Sequence, residues 1–216
     1  MEAEKRANLP WITIALIAVN TVVFLCSDLV FYNRQEEIAF YMSLNPVLVL
    51  KHGEYWRVVT SMFYHFGIDH LVYNMFMLYM MGAILEPFYG RIRYAILYFA
   101  AGLTASAASL WYNGVFAAEE GAHAFCAGAS GAVYGLIGGY AAVYFVQRRT
   151  LPAWEKRRML IAVLFLLFGS IFDTGIGHDA HFGGFFGGLL LGCVYCMILK
   201  KKAERERYRK TYGGGK

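Results

Sequence analysis

Three stretches of this chain set polar groups into otherwise apolar sequence. They are His65, His70 and Asn74; then Gly128-Ala129-Ser130-Gly131; then His178-Asp179-Ala180-His181, followed by Gly184 and Gly188. A hydroxyl, imidazoles and an amide are the parts of an acyl-transfer site. A serine hydroxyl is a poor nucleophile until a neighbouring base takes its proton. His181 can serve as that base near neutral pH. The oxyanion of a tetrahedral intermediate needs donors already in place. Ser130 opens an apolar run, so if it starts a helix its backbone N–H is available. His70 and Asn74 are four apart, share one helix face, and can add side-chain donors. Glycines around Ser130 allow a substrate backbone to come close.

Each element alone is weak. The soluble-hydrolase elbow Gly-x-Ser-x-Gly is not matched, because position 132 is Ala. A lone histidine in a helix is more often a hydrogen-bonded packing residue. His178 is a rival base, although it lacks the glycine face that follows His181. Asp173 and Asp179 could orient His181, but read more simply as solvated loop acids. His52 and His123 fall in loops and read as solvated. No His-Glu-x-x-His is present, so no metal site and no cofactor is expected.

The elements that must position these groups are membrane helices. The 216 residues are 58% hydrophobic, 17% aromatic and 16% charged. Soluble domains carry about 25% charged residues. Six apolar segments can be read, near Trp11–Val30, Phe63–Leu85, Tyr94–Tyr112, Ser130–Val146, Met159–Phe172 and Phe182–Leu199. A straight span takes about 20 residues, which makes the fifth short. The expected fold class is an all-α membrane protein of six spans. The first run is too long, and lacks the small-residue site, for a cleavable signal peptide.

Seventeen of the 20 Lys and Arg fall before the first segment, after the second and fourth, or in the tail after the sixth. By the positive-inside rule both termini are cytoplasmic, and an even number of spans fits. Segments two, four and six then run inward from the outer face. Every polar cluster sits at the outer end of its segment, at one depth. Polar groups inside a bilayer are costly, so their convergence on one level implies function.

Glycines recur every four residues in segment four (Gly131, Gly135, Gly139) and in segment six (Gly184, Gly188, Gly192). Small residues at this spacing let helix backbones approach closely. Segments four and six are therefore expected to be interior neighbours. Cys193 and Cys196 have C-x-x-C spacing but read as packing residues inside a helix. The Phe31–Met62 stretch, with Pro46, Trp56 and Arg57, is amphipathic and suits the outer membrane surface, where Trp56 and Arg57 could anchor. The charged stretch after Leu199 is expected to be disordered beyond the helix end.

These residues resemble the rhomboid family of intramembrane serine proteases, over about Trp11 to Leu199. Glu54-Tyr55-Trp56-Arg57 with Thr60, Met62, Phe63 and His65 resembles the family's Trp-Arg loop. His65, His70 and Asn74 resemble its spaced His…His…Asn pattern, and Glu86 after Gly82 an acidic position. Gly128, Ser130 and Gly131 resemble its Gly-x-Ser-Gly motif, and His181, Gly184 and Gly188 its His-x-x-Gly-x-x-x-Gly motif. The resemblance implies a Ser130–His181 dyad with no obligatory third acid. It implies an oxyanion hole from the Ser130 N–H, His70 and Asn74, and stacking of Tyr134 on the catalytic imidazole. It gives Trp56 and Arg57 a structural role. The Asp173–Ala180 loop would cap the site and span five would gate it.

The expected organisation is a cytoplasmic tail over 1–10, a protease domain over 11–199 and a basic cytoplasmic tail over 200–216, in a bacterial cell membrane. The expected form is the basic bacterial-type core, with no soluble appendage and no seventh span. The implied substrates are single-pass or polytopic membrane proteins, cut near the outer face, with the lipid bilayer as the other partner. Nucleic acid is not expected, because the basic residues are topology determinants rather than a soluble patch. A non-catalytic escort of membrane helices is the alternative class. It is disfavoured because both serine and histidine are present. A small transporter would place polar groups at mid-membrane, often with an internal repeat.

Overall fold

In hydrocarbon, backbone N–H and C=O groups find no water, so apolar runs satisfy them within helices. The computed structural model describes residues 9–116, 125–149 and 177–212, with 151–154, 156–158, 160–161 and 164. Among these residues there are helices and connecting turns but no strand, apart from one isolated antiparallel bridge between Leu44 and Cys126. The long helices are α1 (Trp11–Leu25), α5 (Ile68–Tyr89), α6 (Arg91–Trp111), α7 (Ser130–Gln147) and α8 (His178–Tyr212). Three short helices, α2 (Gln35–Met42), α3 (Pro46–Leu50) and α4 (Arg57–Thr60), lie between α1 and α5. Both α1 and α6 end in a π-helical turn, over Cys26–Val30 and Tyr112–Phe116.

Among the described residues, four helices are long and apolar enough to cross a membrane: Trp11–Val30, Ile68–Tyr89, Arg91–Val115 and His178–Arg207. The chain is an all-α membrane bundle. The expected fifth segment, Met159–Phe172, falls outside the described residues except for positions 160, 161 and 164. The fourth, α7, is not among the four. Its glycines, tyrosines and terminal Gln147 dilute its hydropathy, and all of Gly131–Val143 is buried. Hydropathy reports contact with lipid, and over Gly131–Val143 this helix touches protein on every side.

The core joins Leu78, Met81 and Leu85 of α5, Tyr94, Leu97 and Tyr98 of α6, and Leu136, Ile137 and Tyr140 of α7. Gly90 turns α5 back into α6. Its φ of +81° suits glycine, and its N–H donates to the Glu86 carbonyl at 2.9 Å. Helix α1 has no capping side chain of its own. Glu86 of α5 supplies one instead. It accepts from the Ile12 and Thr13 amides at 2.9 Å each, and from the Thr13 hydroxyl at 2.8 Å. A buried carboxylate at a helix N-terminus meets both orphan donors and the positive end of the helix dipole.

Several expectations change. The second segment becomes helical only at Ile68, because Phe63–Gly67 forms a turn. Helix α8 is not interior. Its glycine face packs inward, while Phe182, Phe186 and Leu190, spaced by four, are exposed on the other side. The stretch after Leu199 is helical as far as Tyr212, where α8 ends, and residues 213–216 lie outside the described residues. Lys, Arg and Glu are good helix formers, and Lys202 and Glu206 pair at 3.9 Å one turn apart.

Candidate active site

Ser130 is the first residue of α7. A short segment, 125–129, leads into it and is held from three directions. Cys126 exchanges backbone hydrogen bonds with Leu44 at 2.8 and 3.0 Å. The Gly128 N–H donates to the Ser61 carbonyl at 2.8 Å. The Ala129 N–H donates to His65 Nε2 at 3.3 Å. His65 must therefore carry its proton on Nδ1. His65 lies in the turn ahead of α5, outside the membrane helix, and is fully buried. Burial first, and the neighbouring His70 second, push its imidazole down to about 4. It holds the segment as a neutral acceptor.

Gly128 is required on two grounds. Its φ is +123°, and a Cβ there would stand 2.7 Å from Cε1 and Nε2 of His70. The His70 ring thus lies against the backbone two residues before Ser130. It also meets the His65 ring edge-on at 5.0 Å. Asn74, one turn further along α5, is buried, and its amide donates to the His70 carbonyl at 2.9 Å.

His181 lies in the first turn of α8. Its Nε2 is 3.0 Å from Ser130 Oγ, a hydrogen-bond distance. Tyr134, one turn below Ser130, stacks on the imidazole with ring centres 4.0 Å apart and planes 10° apart. His178, the rival base, is exposed and lies edge-on to His181 at 6.4 Å. The two helices touch backbone to backbone. A Cβ on Gly184 would fall 2.0 Å from the Gly131 carbonyl oxygen, and one on Gly188 would fall 1.9 Å from that of Gly135. Atoms do not approach so closely, so only glycine lets α8 bring His181 against Ser130.

Arg57, read either as an interfacial anchor or, by the resemblance, as a structural residue of the loop, is fully buried. Its guanidinium pairs with Glu54 at 2.6 Å and donates to the Ser43 carbonyl at 3.0 Å and to the Phe40 carbonyl. It also lies over the Phe40 ring at 5.1 Å. This ties α2, α4 and the Leu44 bridge into one piece. Trp56 beside it stays exposed. Asp179 was read as a solvated acid, yet its Oδ2 accepts from Asn113 Nδ2 at 2.9 Å. Asp173 and His123 lie outside the described residues. Burial pushes the Cys126 thiol up to about 11, so it stays protonated at neutral pH.

Asn113, Ser61 and Leu44 had no place in the sequence reading. Asn113 could have been found, because it is polar and ends the third apolar segment at the level of the other clusters. Ser61 acts through its backbone carbonyl and Leu44 through its backbone N–H and carbonyl, which no residue type reveals.

A family profile described as Rhomboid domain matches residues 52–198, more than half of the chain. The chain belongs to the rhomboid family. Among curated relatives, this rhomboid is 28% identical over 179 residues to Rhomboid protease GluP of Bacillus subtilis (strain 168), covering 83% of this chain and 34% of that protein. It is 30% identical over 159 residues to Putative rhomboid protease YdcA of the same organism, covering 73% and 74%. It is 29% identical over 195 residues to Rhomboid-like protease 3 of Toxoplasma gondii, covering 87% and 69%. This rhomboid therefore spans about a third of the length of GluP.

Proposed function

We propose that this rhomboid is an intramembrane serine endopeptidase with Ser130 as nucleophile and His181 as base. The observation that carries this reading is the 3.0 Å approach of Ser130 Oγ to His181 Nε2, with the imidazole stacked on Tyr134. In the reaction, Oγ attacks the scissile carbonyl carbon while its proton passes to Nε2. The imidazolium that forms is stabilised by the Tyr134 ring face. It then protonates the leaving amine as the tetrahedral intermediate collapses to an ester on Ser130. Water, deprotonated by the same nitrogen, hydrolyses that ester. The oxyanion is met by the Ser130 N–H, an orphan donor at the start of α7, with His70 and Asn74 alongside. The chemistry needs no cofactor.

The substrates are membrane proteins cut in or near their transmembrane helices. The chain carries six spans over 11–199 in a bacterial cell membrane. Both termini are cytoplasmic and the dyad opens to the outer side. The charge asymmetry of the sequence supports this orientation.

The test is cleavage of a labelled single-span helix by purified protein in liposomes. Wild type is expected to release product, Ser130→Ala and His181→Ala to release none, and His178→Ala to retain most of the rate. If wild type cuts no test helix and a fluorophosphonate leaves Ser130 unlabelled, the escort reading replaces this one.

A further inference from the structure

Asn113 sits in the π-helical turn that ends α6, and it is bonded toward the segments that carry Ser130 and His181. It is buried, and its Nδ2 donates to Asp179 Oδ2 at 2.9 Å. Asp179 is two residues before His181, on the same first turn of α8. The same Nδ2 lies 3.0 Å from the Ser109 carbonyl and 3.2 Å from Ser109 Oγ. The Ser109 hydroxyl in turn donates to Cys126 Sγ at 3.9 Å. Cys126 is in the segment leading to Ser130, fixed by its bridge to Leu44. A directed chain of donors therefore runs from α6 to the histidine-bearing turn on one side and the serine-bearing segment on the other. A π-helical turn sets its residues out of ordinary register, and such turns are frequent at functional sites.

We infer that Asn113, with Asp179 as its acceptor, is a positioning residue that fixes the first turn of α8 so that His181 meets Ser130. This rests on the proposed dyad. The glycine contacts set how closely α7 and α8 approach. They leave the rotation and tilt of the first turn of α8 to be fixed at its end, and the Asn113–Asp179 bond acts there. Displacing His181 by about 1 Å is enough to cost about a hundredfold in rate.

Two readouts test this. In the first, ¹⁵N-histidine spectra follow His181 Nε2, whose hydrogen bond to Ser130 is identified by the change seen in Ser130→Ala. Asn113→Ala is expected to give the same change with Ser130 intact. In the second, rates of fluorophosphonate labelling and helix cleavage are compared among Asn113→Ala, Asn113→Asp, Asp179→Asn and the exchanged pair Asn113→Asp/Asp179→Asn. Asn113→Ala is expected to lose about tenfold to a hundredfold in kcat with KM unchanged. Asn113→Asp, which sets two carboxylates face to face, loses more. The exchanged pair restores donor and acceptor and recovers most of the rate. Thermal unfolding in detergent identifies any variant that has simply lost its fold. An unchanged Nε2 signal in a folded Asn113→Ala protein overturns the inference, as does an exchanged pair no better than Asn113→Asp. If wild type is inactive but the Nε2 response is as expected, the endopeptidase reading fails and the positioning role stands.

Discussion

Two regions hold the candidate dyad, and they do so by opposite means. The α7–α8 seam is built from missing side chains. Gly131, Gly135, Gly184 and Gly188 let backbone meet backbone beneath the Ser130–His181 hydrogen bond. The approach to Ser130 is built from hydrogen bonds, side-chain and backbone, to residues far away in the chain. Arg57, His65 and the Leu44–Cys126 bridge hold it through hydrogen bonds. A seam fixed by steric exclusion tolerates no added atom. A turn fixed by hydrogen bonds loses its grip one bond at a time.

The sharpest way to break this contrast is to add one carbon to the seam. Gly188→Ala places a Cβ 1.9 Å from the Gly135 carbonyl oxygen, against a closest ordinary approach near 3.0 Å. The helices must separate by about 1 Å, which is expected to lower the cleavage rate about a hundredfold. The strain is expected to cost about 1–3 kcal/mol of stability. An alanine variant cleaving at the wild-type rate would show that the seam gives. On the other side, Arg57→Ala is expected to cost about 3 kcal/mol in denaturant titration, because it strands the Phe40 and Ser43 carbonyls and the Glu54 carboxylate. Glu54 keeps a quarter of its side chain exposed, which holds the cost at the low end. Arg57→Lys should recover only part, because an ammonium cannot reproduce the planar fork.

The smallest effect separates the regions by pH. The unfolded chain protonates His65 near its ordinary value, about 6.5, while the folded chain resists until about 4. The unfolded state therefore binds more protons in that window, and stability falls as pH drops from about 6.5 to 4. At pH 5.5 the loss is about 1 kcal/mol. A His65→Gln variant should lack this increment when its unfolding free energies at pH 7.5 and 5.5 are compared with wild type. An identical pH response in both proteins would remove His65 from the support of the turn.

The sequence showed most of what is periodic. Glycines every four residues pointed to α7 and α8 as neighbours, and polar residues at segment ends pointed to one level where Ser130, His181 and His70 now lie. It misplaced what depends on a partner distant in the chain. Arg57 kept an anchoring reading open because nothing local shows that the Phe40 and Ser43 carbonyls, 17 and 14 positions away, accept from it. Asp179 read as solvated because its partner Asn113 lies 66 positions away. The interior status of α8 was overstated because the glycine spacing describes one face, while Phe182, Phe186 and Leu190 describe the other. Helix α7 failed the hydropathy measure for the complementary reason, since it faces protein all round.

Glu86 carries a consequence for biosynthesis. The amide donors and hydroxyl that it satisfies belong to Ile12 and Thr13, 74 and 73 residues earlier in the chain. Helix α1 therefore leaves the ribosome without this cap, which arrives only when the end of α5 has been made and has come alongside. Insertion of α1 and its final fixation are separate events in time. A nascent chain halted before residue 86 would hold α1 with its first turn of donors still open.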